Sequence, residues 1–140
     1  MVDIYVEYEG GLHCRAQHGP SQNVLVTDAP VDNNGRGEAF SPTDLVATGL
    51  GTCMATVMGM LARKRGYDLD GTRVHVKKKM TQGPPRRIAE LAVAVVFPSA
   101  VTARVAGDRA SFEHEAHVCP VRMSLLGAIA VPVDFDWQSE

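Results

Sequence analysis

Three cysteines, five histidines and scattered arginines and carboxylates are the groups in this chain that could do chemistry. Cys53 lies in SPTDLVATGLGTCMATVMGMLARKRG, which runs from Ser41 to Gly66. Cys119 directly precedes Pro120 in HVCPVRMSL, and Cys14 stands between His13 and Arg15. A thiolate is both a nucleophile and a metal ligand, so the three could be inert thiols, metal ligands or a redox pair. Taken alone, Cys53 reads as a small hydrophobe in a buried helix, because free cysteine is among the most buried residue types. Cys119 changes the odds: it sits between Val118 and the Pro120–Val121 pair, so its sulfur is expected close to the core surface. Cys53 and Cys119 can be neighbours in space, which their separation along the chain leaves open. Cys14 reads as a bystander. His114, His117 and Cys119 gather at one helix end, and His13 or His18 could join them. His-x-x-His is common on amphipathic helices, however, and no Cys-x-x-Cys accompanies it, so neither a metal nor a cofactor is expected.

The stretch around Cys53 predicts a helix. Ser41 is its N-cap, Pro42 its first helical position and Asp44 falls three residues after the cap, a capping box with Asp in place of Glu. Arg63, Lys64 and Arg65 suit the negative end of the dipole, and Gly66 follows them. No charge occurs from Leu45 to Ala62. Leu45, Val46, Leu50, Met54, Val57, Met58 and Leu61 point in nearly every direction, so burial all round is expected. A run of about 18 uncharged residues is also at the threshold for a membrane span. Thr48, Thr52 and Thr56, with the amphipathic strands that follow, favour a core helix. Gly49, Gly51 and Gly59 each weaken a helix by about 1 kcal/mol relative to alanine, which suggests that another backbone packs close.

The remaining pattern supplies the scaffold. Ile4–Tyr8, Leu12–Gln17 and Asn23–Thr27 read as a three-stranded meander turned at Glu9-Gly10-Gly11 and His18-Gly19-Pro20. Asp28 to Phe40 is loop chemistry throughout. After the helix, Arg73–Met80 and Arg87–Phe97 read as two strands joined at Gly83-Pro84-Pro85. Val101 to Cys119 reads as a second, amphipathic helix with Val101, Val105, Phe112 and Ala116 inward. The last strand turns Val131, Val133, Phe135 and Trp137 inward. Strands joined by hairpins predict an α+β fold with antiparallel sheets, not a parallel doubly wound one.

A chain of 140 residues is expected to form a single domain over 1–140. Its net charge of −2 and pI near 6.2 argue against nucleic acid as the main partner. MVDIYVEYEG carries no basic or apolar leader pattern, so the expected location is the cytoplasm. An all-round apolar helix cannot be covered by one small sheet and one amphipathic helix. A second copy around a two-fold axis would cover it, so an obligate, interlocked homodimer is expected.

FSPTDLVATGLGTCMATVMG, PPRRIAEL and HVCPVRMSL, with DAPVDNNGRGEAFSPTDL ahead of the helix, resemble the osmotically inducible protein C (OsmC) and organic hydroperoxide resistance (Ohr) family. The resemblance covers nearly the whole chain. It implies an OsmC-like fold, antiparallel sheets around a buried central helix plus a second helix, in an intertwined homodimer. It further implies a thiol-dependent peroxidase acting on organic and hydrogen peroxides, with Cys53 as peroxidatic and Cys119 as resolving cysteine. Cys53 would become a sulfenic acid, Cys119 would condense with it to a disulfide, and an external dithiol, lipoyl-type among the candidates, would reduce that bond. In the hydroperoxide branch, an arginine from the N-terminal strands and a glutamate at the helix start hold the thiolate. Here Thr43 follows Pro42 and Asp44 comes next, nine residues before Cys53. At 100° per residue those two face opposite sides of the helix, roughly 13 Å apart along it, so Asp44 either caps the helix or serves the cysteine of a partner copy. Arg15 is nearest in position to the family's arginine, with His18, Arg86 and Arg87 as rivals. These departures point to the general OsmC-like branch. The alternative is a non-catalytic dimeric binding module, with Met54, Met58 and Met123 lining an apolar pocket.

Overall fold

Glycine turns and alternating strands build the N-terminal part. Strands β1 (Ile4–Tyr8), β2 (His13–His18) and β3 (Val24–Asp28) form an antiparallel meander in the order β1-β2-β3. Gly10 and Gly11 take φ of +84° and +62°, which the tight first turn requires. In the computed structural model, which describes residues 1–139, Met1–Val46 forms one compact unit and the chain from Ala47 onward another. The register sets His13 opposite Asp28, and this pair is the polar centre of the first unit. Asp28 is only 2% exposed, and its Oδ1 lies 2.6 Å from His13 Nδ1. The hydrogen bond from His13 lowers the Asp28 pKa from its ordinary value against the cost of burial, helped by the Glu38 N–H and by Arg36. The loop after β3, with a short 3-10 turn at Val31–Asn33, is thus pinned to the sheet. Asp28 N–H also donates to Phe40 O, and Ala29 N–H to Leu12 O.

Helix α1 spans Pro42–Arg65. Its capping box is reciprocal: Ser41 N–H donates to Asp44 Oδ2 at 2.9 Å and Asp44 N–H to Ser41 Oγ at 3.1 Å. Within one chain, burial is confined to one side of the helix. Ala47, Leu50, Gly51, Met54, Met58 and Ala62 form a single buried stripe at helical spacing. Thr48, Thr52, Ala55, Thr56 and Met60 lie open, Met60 at 65%. Within the unit from Ala47 onward, a sheet packs on the buried stripe.

That sheet is the second, β4 (Arg73–Met80), β5 (Ile88–Phe97) and β6 (Val133–Trp137), in the order β4-β5-β6. A Cβ built on Gly51 would stand 3.0 Å from Val76 Cγ2 and 3.5 Å from Val74 Cγ1, so this glycine is where the helix meets β4. The pair β4/β5 is antiparallel as expected, but β6 runs parallel to β5. The chain leaves β5 through helices and returns by a crossover, and a crossover delivers a parallel neighbour. The expected second helix is also divided. Helices α2 (Ser99–Arg104) and α3 (Arg109–His117) are separated by a turn at Val105–Asp108, and α4 (Pro120–Leu125) follows. The inward residues stand as expected, with Val101, Val105, Phe112 and Ala116 fully buried beside Leu91, Val95 and Phe97 of β5.

Candidate functional site

The corner between α3 and α4 brings a thiol to the middle of α1. Val118 N–H bonds back to His114 O and Glu115 O, which ends α3, and Cys119 becomes the N-cap of α4 with Pro120 at its first position. Pro120 has no N–H to offer, so the first free donors belong to Val121 and Arg122. The Arg122 N–H points at Cys119 Sγ across 3.4 Å. Cys119 is thus the cap of a new helix, where the sequence reading had it ending the preceding one. The signal was in the sequence: a proline favours the first position of a helix and makes its predecessor the cap.

Cys119 is fully buried, whereas Cys53 is half-buried and near enough to Cys119 to raise its pKa. Burial pushes the Cys119 thiol up from its ordinary pKa; the N–H groups of Arg122 and Val121 work against that, and Cys53 works with it. Both cysteines are free thiols, as is Cys14 in β2. At 100° per residue Cys53 falls on the flank of α1, between the buried stripe and the open face. Met54 and Met58 are fully buried core, while Met123 is half exposed on α4.

The other candidates are placed as follows. Asp44 accepts the Ser41 N–H in the cap of α1. Arg15 lies mid-β2 between Glu7 of β1 and Val26 of β3. His18 bonds Ser21 in the turn after β2, with Nδ1 2.6 Å from Oγ. Arg87 donates to the carbonyls of Ile88 and Ala128 at the start of β5, and Arg86 is exposed beside it. His117 meets the edge of Phe135, and His114 is exposed. Among the described residues no group of three His, Cys, Asp or Glu side chains is placed to hold a metal ion. Arg122, which sequence reasoning passed over, contributes both its main-chain N–H at Cys119 and a guanidinium bond to His117 O at 2.9 Å.

Comparison with known proteins places this arrangement. Residues 35–134 match the family of OsmC-like proteins. A crystal structure from Psychrobacter arcticus 273-4, of a protein named for osmotic stress induction and a detoxification response, is 41% identical, covers 96% of both chains and superposes with a TM-score of 0.86. Two further structures share the fold at lower identity. An organic hydroperoxide resistance protein OsmC from Legionella pneumophila is 17% identical over 97% of this chain and 96% of that one, with a TM-score of 0.74. OhrB, the organic hydroperoxide resistance protein of Bacillus subtilis, is 13% identical over 97% and 98%, with a TM-score of 0.66. Among curated proteins no sequence matches. The match over residues 35–134 takes in the helix of Cys53 and the corner of Cys119 alike, and on it the chain belongs to the OsmC-like protein family.

Proposed function

We propose that this chain is a cytoplasmic, homodimeric thiol peroxidase that reduces organic hydroperoxides, with hydrogen peroxide as a further substrate. The observation that carries the reading is the nearness of the Cys53 and Cys119 thiols in a chain of this family. The half-buried Cys53 thiolate attacks the O–O bond of ROOH; the alkoxide leaves and takes a proton as ROH, and Cys53 is left as a sulfenic acid. Cys119 then condenses with it, water leaves, and a disulfide stands between them. An external dithiol reduces that bond in two exchange steps and becomes a disulfide itself. Arg15 is proposed to hold the thiolate, and Asp44 to serve the site only across copies, its place in its own chain being the cap.

The dimer belongs to the same reading. Thr48, Thr52, Ala55, Thr56 and Met60 form an open helix face, and Ile4, Tyr5, Val6 and Tyr8 of β1 are each more than half exposed. Apolar surface on that scale is what a second copy would cover. A binding module without turnover has one feature in its favour, an apolar cleft of about 300 Å³ lined by Ile4, Ala16, Val24 and Leu25.

One equivalent of an alkyl hydroperoxide added to the reduced protein separates the two. The peroxidase loses two thiols, keeps Cys14 free and drops two hydrogens in intact mass. Cys53→Ser, a nearly isosteric change, folds and consumes no peroxide. Unchanged thiols after peroxide, or a Cys53→Ser variant as active as the parent, would sink the reading.

A further inference from the structure

The corner that carries Cys119 is held at two points by one residue, Arg122. Its main-chain N–H faces Cys119 Sγ at 3.4 Å, and its Nη1 donates to the carbonyl of His117, the last residue of α3, at 2.9 Å. The side chain therefore ties the end of α3 to the first turn of α4, with Cys119 between them. Its Nε is buried and has no acceptor among the described residues. A fold seldom keeps a buried donor unpaired, and where it does the group calls for an account. Here the guanidinium spends one donor on the His117 carbonyl, which holds the side chain in place, and leaves the buried Nε unmet at a cost in stability.

We propose that Arg122 is the positioning residue of the resolving step, holding the Cys119 sulfur against Cys53 so that disulfide formation outruns further oxidation. This rests on the thiol-peroxidase reading. Two reactions compete for the Cys53 sulfenic acid. In one, the Cys119 sulfur bonds to the Cys53 sulfur, and the hydroxyl leaves with the Cys119 proton as water. In the other, a second ROOH oxidises the sulfenic acid to a sulfinic acid and departs as ROH. The first depends on where Cys119 stands, and displacement of a reacting group by about 1 Å can cost on the order of a hundredfold in rate. The guanidinium acts through the His117 carbonyl, so the first attack at Cys53 does not involve it.

Arg122→Ala and Arg122→Lys, measured beside the parent by rapid quench and intact mass, test this. In Arg122→Ala the first oxidation keeps the parent rate, disulfide formation slows on the order of tenfold, and the sulfinic fraction in excess cumene hydroperoxide rises to match. Arg122→Lys, whose ammonium can still donate to His117 O, recovers most of the parent behaviour. Should Arg122→Ala fail to fold, Arg122→Met, with an apolar stem and no donor, carries the comparison. A parent-like sulfinic fraction in the donor-less variant overturns the proposal, as does equal slowing of both steps or a lysine variant no better than the alanine one. A parent that forms no disulfide takes the function reading down with it. A parent that does, beside an unaffected variant, removes the Arg122 role alone.

Discussion

Three glycines interrupt the central helix, and the chain itself accounts for only one. A methyl added at Gly51 would meet Val76 Cγ2 at 3.0 Å, tighter than ordinary contact, and a valine stiff at χ1 would have to yield. At Gly49 and Gly59 the same construction meets nothing within 4 Å. Both have ordinary helical backbone, so alanine there carries no strain. In an isolated chain, Gly49→Ala and Gly59→Ala should each stabilise by about 1 kcal/mol from helix propensity alone, raising Tm by about 3 °C for a chain of this size. The dimer predicts the opposite. If a second copy lies against the open side of α1, each methyl enters a packed interface at about 1–3 kcal/mol, and dimer dissociation strengthens by roughly five- to a hundredfold. Sedimentation velocity across a concentration series, paired with thermal melts, reads both quantities. The expected outcome is a parent of twice the chain mass, with Gly49→Ala or Gly59→Ala dissociating at higher concentration and melting lower as the protein is diluted. Gly51→Ala, whose clash is internal, should lower Tm without changing the mass. A monomeric parent in which both open-face alanines raise Tm, independent of concentration, would refute the argument that a copy of the chain covers this face.

Further outcomes follow from the other sites. Ser41→Ala removes the side-chain half of the capping box and should cost about 1 kcal/mol, read by denaturant titration. Asp44→Ala should cost a similar amount with the first attack at Cys53 unaltered; a slower attack would place its carboxylate at the partner's cysteine instead. Arg15→Ala should slow sulfenic acid formation on the order of tenfold while leaving the melt unchanged, since a cation beside a thiolate favours the nucleophile; stopped-flow oxidation decides it, and an unchanged rate removes Arg15 from the site. The folded state holds the Asp28 proton less tightly than the unfolded chain does, so the stability it adds is present above the ordinary carboxylate value of about 3.9 and is lost as pH falls below it. Asp28→Asn should flatten that acid limb of the melt, and an unchanged limb would count against the pairing with His13.

The elements were readable because each is written in local sequence. Ser41, Pro42 and Asp44 announce the start of α1, and the alternation in β4 and β6 places their faces. What failed depends on partners distant in sequence. Composition shows that Val57 and Met60 are apolar, yet not which side of the helix this chain covers and which it leaves to the proposed second copy. The parallel seating of β6 on β5 rests on the crossover between them, which the count of hairpins concealed. The pairing of His13 with Asp28 is invisible until the register of β2 on β3 is known. Of the candidate site, the nearness of the two thiols was within reach through the family resemblance. Pro120 ends one helix and a short turn over 121–126 is legible after it; that Cys119 is the cap of this second helix follows from Pro120 taking its first position.

The unequal surroundings of the two thiols match unequal tasks under the proposed chemistry. Burial holds the Cys119 proton on its sulfur more firmly than in an ordinary thiol, so Cys119 is poorly suited to attack a peroxide at neutral pH. Condensation makes a different demand. When the Cys119 sulfur displaces the hydroxyl of a sulfenic acid, the departing oxygen needs a proton to leave as water. The proton that Cys119 gives up can be the one the departing oxygen takes, and its transfer frees the sulfur to attack. As the S–H bond weakens and charge grows on sulfur, the N–H groups of Val121 and Arg122 already face it. Donors fixed in place before charge develops stabilise it without reorganisation. Burial therefore keeps Cys119 from competing as the first nucleophile, and the N–H groups at its sulfur favour the thiolate it must become to act as the second.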